Sequence, residues 1–327
     1  MLALHRPGLR LSPDEAPFPA TFAEAYAADH VSAELNAGAT IATTPGHVLT
    51  HECATGREND LQLARLAAEE FTARHAWAPA PGQPTAARRE IYATIVLQGE
   101  HAKVLATIDW LVQRYSALPD ISGYWIVAAN CNGSGVQVAG FTRLALRLQR
   151  ATARPAVVSC VGDAHLALLA SGVSATCAGL HGMSFSYPPA ELPIAEDGEE
   201  QGLGIFVYHR AVLGNVGKLG VEGEDVRQAI FRNVPCPCGY HPASSPPDGK
   251  RQIVAHNSWA VSSDALEFAE PAVQAAEEQL ARRAQEARRQ RTFLRLGNLK
   301  AGFLSAQRAA AEVRAGEAPG DAYERHR

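Results

Sequence analysis

Apolar segments of strand length alternate with amphipathic helical segments through the middle of the chain, and this order constrains the fold most. Residues 91–97, Ile-Tyr-Ala-Thr-Ile-Val-Leu, suit a strand buried on both faces. A helix is predicted over 59–74, with Asn59 or Asp60 as its N-cap. The alternation indicates parallel strands joined by helices. Further strands are predicted at 40–43, 124–129, 156–160, 173–177 and 204–208, and further helices at 101–115, around 141–148 and at 164–170.

Two architectures accommodate such a series, a closed barrel and an open doubly wound sheet. No Gly-rich phosphate loop follows the first strand, which argues against a dinucleotide-binding sheet. The 327 residues also exceed the roughly 250 that a (β/α) barrel needs. We therefore predict an α/β fold with a TIM-barrel-like (β/α) barrel, atypical at its N-terminus, over residues 1–232. A zinc-binding element packed on the barrel at 233–270 and a basic helical tail at 271–327 are expected to follow.

The composition excludes some broad classes of protein. Hydrophobic residues make up 46% of the chain and charged residues 20%, which is a globular balance. The formal net charge of -4 gives no global signal for nucleic-acid binding. No segment approaches the roughly 20 unbroken apolar residues of a membrane span, and the N-terminus lacks the apolar core of a secretory signal. We expect a cytoplasmic protein with no membrane partner.

Four residues near the C-terminal third have the spacing of metal ligands. Cys236, Cys238, His241 and His256 form the pattern C-x-C-x2-H-x14-H. Two thiolates and two imidazoles fill a tetrahedral zinc shell and leave no open position, so the predicted cofactor is zinc in a structural role. Gly239 and the neighbouring prolines suit a tight turn around the first three ligands.

This cluster resembles the zinc site of the tRNA-guanine transglycosylase-like superfamily, whose members use C-x-C-x2-C and a later histidine followed by asparagine. Cys236 and Cys238 match the first two ligands, and His241 stands at the position of the third cysteine. His256 with Asn257 matches the last ligand. The superfamily includes queuine and archaeosine transglycosylases and the DNA deazaguanine transglycosylases.

Three strand segments look similar to strands of the same superfamily, and the likeness covers residues 38–268. Gln98 ends a strand like the one whose glutamine contacts the base. Residues 123–129 look like the next strand, and residues 171–177 look like the strand that delivers the nucleophilic aspartate. The resemblance implies a barrel that binds a purine-type base in tRNA or DNA.

The catalytic aspartates of the superfamily are not matched. Cys177 stands where the nucleophile would be, and an Asp-Ser-Gly-Gly-Phe-type segment is absent. Base exchange needs a carboxylate nucleophile, so the resemblance supports the scaffold more than the activity. Whether the chain is an enzyme stays open between two hypotheses. One is a transglycosylase-like transferase acting on a purine-type base, and the other is a non-catalytic subunit that binds nucleic acid or a protein partner.

The working face of a barrel lies at the carboxyl ends of its strands. Polar residues, thiols and histidines follow several predicted strands. These side chains, including His209, are expected to lie at the carboxyl end of the barrel. A thiol beside an imidazole is a candidate nucleophile. The catalytic candidates are Cys177 and Asp163, and the substrate-binding candidates are Gln98, Asn130 and His181.

A second resemblance rests on Asn130-Cys131, which is similar to a strand end of homocysteine methyltransferases. Those enzymes hold a catalytic zinc through cysteines on the barrel mouth. They also need a later Cys-Cys pair, where this chain has Cys236-Pro237-Cys238. A zinc-dependent methyltransferase-like enzyme therefore remains an outside alternative.

The C-terminal region over 271–314 is predicted to be helical and is rich in arginine. Clustered basic side chains on one element create a local positive field despite the negative net charge. Gly316 to Arg327 are expected to be disordered. A solvated helix or a subunit contact is the alternative interpretation. The residues predicted to contact a nucleic-acid backbone are Arg282, Arg288, Arg289 and Arg291, with Arg283, Arg295 and Lys300 nearby.

Overall fold

The computed structural model describes residues 17–49, 54–75, 89–131, 134–161, 164–177, 206–218, 224–269, 273–293 and 301–317. Strands and helices alternate through the first half of the chain, as the apolar pattern predicts. The strands are β1 (Ile41–Thr43), β2 (Val48–Leu49), β3 (Glu90–Gln98), β4 (Gly123–Ala129), β5 (Ala156–Ser159), β6 (Ala175–Cys177), β7 (Phe206–His209) and β8 (Gly214–Lys218). In the same described ranges the α-helices are α1 (Ala20–Asn36), α2 (Ala54–His75), α3 (Leu105–Ser116), α4 (Gly135–Thr152), α5 (His165–Ala170), α6 (Glu224–Asn233), α7 (Gly249–Ala269), α8 (Val273–Phe293) and α9 (Ala301–Glu317).

A parallel sheet of α/β type contains the first six strands. Its order is β1-β3-β4-β5-β6, and β2 also pairs with β3. β1 pairs with the start of β3 and β2 with its end, so these two short strands occupy one position beside β3. Both pairings are parallel, as is the pairing of β3 with β4, in which Gln98 lies opposite Ala129. The prediction of a parallel α/β sheet is confirmed, while a closed barrel is not seen in the described ranges.

One predicted strand has a different partner from the one expected. β7 pairs antiparallel with β8 in a separate two-stranded sheet. The expectation that His209 shares the carboxyl edge of the parallel strands is therefore wrong. An apolar run identifies a strand but does not identify the strand that it pairs with.

The start of α2 also differs from the prediction, because the helix begins at Ala54 and not near Asn59. Asn59 and Asp60 lie inside α2 and cap nothing. Their side chains are buried, and each accepts a hydrogen bond from a distant residue. Polar residues that suit an N-cap by sequence are here satisfied by tertiary contacts.

The chain divides into two compact units, residues 1–129 with 143–157 and residues 130–142 with 158–327. In the first, α1 and α2 pack on β1 and β3 through a cluster that includes Val31, Phe71 and Ile91. In the second, Phe231 and Ile253 belong to a cluster that also contains Cys236. In the described part of the chain, no helix has both the length and the apolar character that a bilayer span requires.

Candidate metal centre

The four residues predicted as metal ligands come together in the second unit. Cys236, Cys238, His241 and His256 each offer one ligand atom, and these atoms all lie within 4.8 Å of one another. Cys236, His241 and His256 are buried, and Cys238 is half-buried. Residues 20 positions apart meet because β7 and α7 lie against the turn that carries the first three ligands. The cluster can hold a metal ion.

The turn that carries the first three ligands lies between α6 and α7 and contains neither helix nor strand. The backbone N–H of Cys236 donates to the carbonyl of Ala243 at 2.8 Å and closes the turn. Tyr240 N–H donates to Cys238 Sγ at 3.4 Å and orients the sulfur. Gly239 has a φ of +76°, which a residue with a side chain rarely adopts. The local sequence thus aims sulfur and imidazole inward from one short segment.

Backbone carbonyls determine which nitrogen each histidine presents to the centre. His256 Nε2 lies 2.6 Å from the carbonyl oxygen of Tyr208, so Nε2 carries the proton and Nδ1 presents a lone pair. His241 Nδ1 lies 2.7 Å from the carbonyl of Ser245, so its Nε2 presents a lone pair. Metal-bound histidines commonly donate their second N–H to a carbonyl in this way.

Two of the distances between ligand atoms are those of a tetrahedral metal site. Zn–N bonds of about 2.0–2.1 Å and Zn–S bonds of about 2.3 Å place ligand nitrogens roughly 3.3 Å apart and a sulfur roughly 3.6 Å from a nitrogen. His241 Nε2 is 3.1 Å from His256 Nδ1, and Cys236 Sγ is 3.6 Å from the same Nδ1. Two lone pairs that face each other at this distance repel unless a cation lies beside them.

Burial favours the neutral forms of two of the four residues, Cys236 and His256. It raises the pKa of the Cys236 thiol to about 11. It also lowers the pKa of His256, so a proton between the two imidazoles is disfavoured. A bound metal ion reverses this balance, because coordination deprotonates the thiol and uses the imidazole lone pairs.

Aromatic packing and a third histidine surround the cluster. The Phe231 ring lies 5.3 Å from the His241 ring and 5.8 Å from the His256 ring, centroid to centroid. Ala211 N–H donates to His209 Nδ1, and His209 Nε2 lies 3.3 Å from the carbonyl of Val234. Burial and the neighbouring His256 lower the pKa of His209 to about 4. His209 is therefore a neutral, hydrogen-bonded support and not a fifth ligand.

Asn257, the residue after His256, forms a hydrogen bond with the same residue of β7 as His256 does. Asn257 Oδ1 accepts the backbone N–H of Tyr208 at 2.9 Å, while His256 binds the carbonyl of that residue. The Tyr208 hydroxyl donates to Asp264 at 2.8 Å. This fully buried carboxylate also accepts from Arg210 and Arg283. The His-Asn dipeptide thus attaches β7 to α7 through both backbone groups of one residue.

The arginines of the predicted basic tail do not form one exposed band. Arg282, Arg288 and Arg289 are exposed on α8. Arg291 is half-buried and donates to the carbonyl of Val212 at 3.4 Å, and Arg283 pairs with Asp264 and Glu267. The tail is helical over α8 and α9, and α9 includes Gly316. Arg295, Lys300 and residues 318–327 lie outside the described residues.

The predicted catalytic and base-binding residues are described only in part. Gln98 is the last residue of β3, Asn130 directly follows β4, and Cys177 is the last residue of β6. Cys177 is exposed, and partial desolvation raises the pKa of its thiol, which favours the thiol over the thiolate. Asp163 and His181 lie outside the described residues.

Sequence reasoning missed a buried carboxylate–imidazole pair in the first unit. Asp60 Oδ1 lies 2.6 Å from His47 Nδ1 and also accepts the backbone N–H of His47. The side chain of Asp60 is fully buried, whereas that of His47 is 18% exposed. An acidic residue within the apolar face of α2 was the available sequence signal.

Comparison with known proteins gives no further assignment. No protein-family model, curated protein sequence or solved structure matches this chain.

Proposed function

We propose that this chain is a zinc-containing (β/α) barrel protein of the tRNA-guanine transglycosylase-like class that binds a purine-type base in nucleic acid. The observation that carries the proposal is the metal cluster. His241 Nε2 and His256 Nδ1 lie 3.1 Å apart, and this distance and that from Cys236 Sγ to His256 suit tetrahedral zinc. Four protein ligands leave no coordination position open, so the zinc stabilises the fold and does not act on substrate.

Two further features support nucleic acid as the partner. Exposed arginines on α8 supply positive charge, and contacts between arginine and phosphate make binding sensitive to salt. Gln98 offers an amide group at the carboxyl end of β3, where ligands of α/β proteins bind. An amide forms paired hydrogen bonds with the edge of a purine.

Binding to fluorescent tRNA and duplex DNA at about 50 and 200 mM salt tests the proposal. The test variant replaces both Arg282 and Arg289 with Glu, because both residues are exposed. The matched control is Arg65→Glu, an exposed arginine on α2 paired with Glu69. We expect salt-sensitive binding that only the double variant loses. Binding that the double variant keeps, or the absence of binding by the native chain, would contradict the proposal.

Catalytic base exchange is the second candidate function. Asn130 and Cys160 have φ values of +50° and +63° directly after β4 and β5, and strained backbone of this kind clusters at active sites. Against this candidate, Glu100, a carboxylate two residues after Gln98 that would be needed as a nucleophile or base, pairs with Lys103 at the surface, and Cys177 has a raised pKa. Incorporation of labelled guanine into tRNA or DNA, abolished by Asp163→Asn, would establish catalysis. A native chain without incorporation leaves the binding function.

A further inference from the structure

A cleft with a volume of about 570 Å³ lies between α5, α8 and α9 in the second unit. Its floor consists largely of small side chains, including Ala167, Ala170, Ala281 and Ala311. Because alanine side chains are short, they leave space between packed helices. The alanines of α5, α8 and α9 therefore account for the cleft. Cavities of about 300–1,000 Å³ hold small-molecule ligands, and this one has the size for a mononucleotide.

Two arginines on the cleft, Arg288 and Arg308, have no side-chain partner among the described residues. Arg288 of α8 and Arg308 of α9 are both exposed and both line the cleft. Neither guanidinium makes a hydrogen bond or an ion pair within the part of the chain that the structure describes. By contrast, Arg314 on the same helix as Arg308 binds Glu277 with its Nε 2.7 Å from Oε1. The unpaired positive charge therefore concentrates where the cleft is open to a ligand.

The charge on the cleft is asymmetric along α8. Glu278 and Arg288 both line it and lie ten residues apart, which is about 15 Å along a helix. Glu277, beside Glu278, is already paired with Arg314. A polyanion along the cleft would bring further phosphates towards Glu278, since a nucleic-acid strand carries a charge about every 3.4 Å. A ligand with one anionic end and a neutral body avoids that repulsion.

We propose that this cleft binds a small phosphate monoester of nucleotide size. Arg288 and Arg308 hold the phosphate, because a guanidinium offers paired N–H donors to phosphate oxygens. Gln285, three residues before Arg288, and Gln307, directly before Arg308, also line the cleft. Their side-chain amides supply further hydrogen bonds to the ligand. The neutral body of the ligand covers the alanine floor. The site uses no metal ligand and does not rest on the proposed function.

Isothermal titration of the zinc-loaded full chain with guanosine and adenosine 5′-monophosphates tests this site. Guanosine, inorganic phosphate and a 12-residue single-stranded DNA are the other arms. We expect the monophosphates to bind at least about tenfold more tightly than guanosine and than the DNA strand. Arg288→Gln and Arg308→Gln should each weaken binding by about tenfold. Arg232→Gln, an exposed arginine of α6 that does not line the cleft, is the matched control and should leave affinity unchanged.

A variant that leaves the charge unchanged tests whether binding needs the shape of the cleft as well as its positive charge. Ala281→Leu places a larger side chain on an exposed position of the cleft floor and should weaken monophosphate binding while leaving inorganic phosphate unaffected. Circular dichroism confirms that each variant is folded. Equal affinity for guanosine and its monophosphate, tighter binding of the DNA strand, or unchanged affinity in both arginine variants would overturn the proposal. Zinc content and tRNA binding, measured separately, report on the proposed function.

Discussion

β3 and β4 in the first unit are held by apolar side chains, whereas residues 234–248 in the second unit contain neither helix nor strand. Ile91, Ile95 and Leu97 of β3 have no exposed surface. In residues 234–248, by contrast, the buried side chains include the ligands Cys236 and His241. The stability of β3 and β4 depends on the volume and apolar area of their side chains. We infer that the stability of residues 234–248 depends instead on metal binding by their thiol and imidazole groups. The same substitution should therefore have different consequences in the two regions.

Metal removal should have the largest effect, and only in the second region. Cys238→Ser should abolish binding of one zinc per chain and lower the free energy of unfolding by several kcal/mol, because metal binding is coupled to folding. Metal analysis gives the stoichiometry. Amide hydrogen exchange should rise over β7 and α7 and stay unchanged over β3 and β4.

The matched control for metal removal is Cys131→Ser, which changes a half-buried thiol outside the cluster. It should keep the metal and most of the stability. A Cys238→Ser chain with full metal content and unchanged exchange would remove the contrast between the two regions.

The ion-pair network beside the metal centre should have the next largest effect. Asp264 is fully buried and contacts Arg210 and Arg283, whose side chains are 26% and 20% exposed. Asp264→Asn leaves both guanidinium groups with Glu267 as their remaining carboxylate and should cost about 3 kcal/mol in urea unfolding. The metal should remain bound, since no ligand changes.

Glu286→Gln is the control for that prediction. Glu286 forms a surface ion pair with Arg289 at 3.5 Å and accepts a hydrogen bond from Gln290, and such exposed pairs contribute less than about 1 kcal/mol. If Asp264→Asn cost no more than this control, the network would contribute nothing beyond a surface pair.

The parts of the fold that the sequence predicts are those that depend on side-chain character. The apolar run at 91–97 predicts β3 because both of its faces are buried. The convergence of Cys236, Cys238, His241 and His256 was predicted because thiol and imidazole groups at that spacing are typical of metal ligands. The antiparallel pairing of β7 was not predicted, because pairing depends on backbone contacts with a later segment.

The supporting shell of the metal site also depends on backbone groups. The carbonyl oxygens of Tyr208 and Ser245 orient the two histidines, yet any residue type has such a carbonyl. Asp60 is a second case in which the sequence does not reveal the contact that a side chain makes. Its sequence position suits a helix cap, and its partner His47 is 13 residues away across a strand. Tertiary contacts of this kind leave no local pattern.

Substitution of one glycine in each region should have smaller effects on stability than the changes above. A Cβ on Gly123 in β4 would lie 2.7 Å from the Tyr92 ring and 2.9 Å from the Pro155 carbonyl oxygen. Gly123→Ala should therefore cost about 2 kcal/mol through overpacking. Gly239 has open space around it but a φ of +76°, so Gly239→Ala should cost about 1 kcal/mol through backbone strain. Thermal unfolding measures both.

Metal affinity distinguishes the two mechanisms. Gly239→Ala should weaken zinc binding in a chelator competition, because it distorts the turn that carries Cys238 and His241. Gly123→Ala should leave zinc affinity unchanged. The reverse order of effects would mean that packing, and not backbone conformation, determines the metal-binding turn.

The smallest effect concerns the buried pair of the first unit and depends on pH. Burial raises the pKa of Asp60 above its ordinary value of 3.8, so the native state holds this proton more tightly than the unfolded chain does. Asp60 therefore contributes less to stability as pH rises from 3.8 to its raised pKa, and the loss is complete above that value. Asp60→Asn removes the titration, so the stability of the variant relative to the native chain should rise with pH over that window. One proton limits the slope to about 1.4 kcal/mol per pH unit.

Urea unfolding at a series of pH values, with both chains compared at each pH, cancels the contribution of the metal centre, since the two chains share it. Asp109→Asn is the control, because Asp109 is 54% exposed and pairs with Arg147 at the surface. Its stability relative to the native chain should change little over the same window. A flat difference for Asp60→Asn, or one that falls as pH rises, would show that the hydrogen bonds from His47 outweigh the burial of the carboxylate. The first unit would then depend on a buried polar contact as well as on apolar packing, as the second unit does.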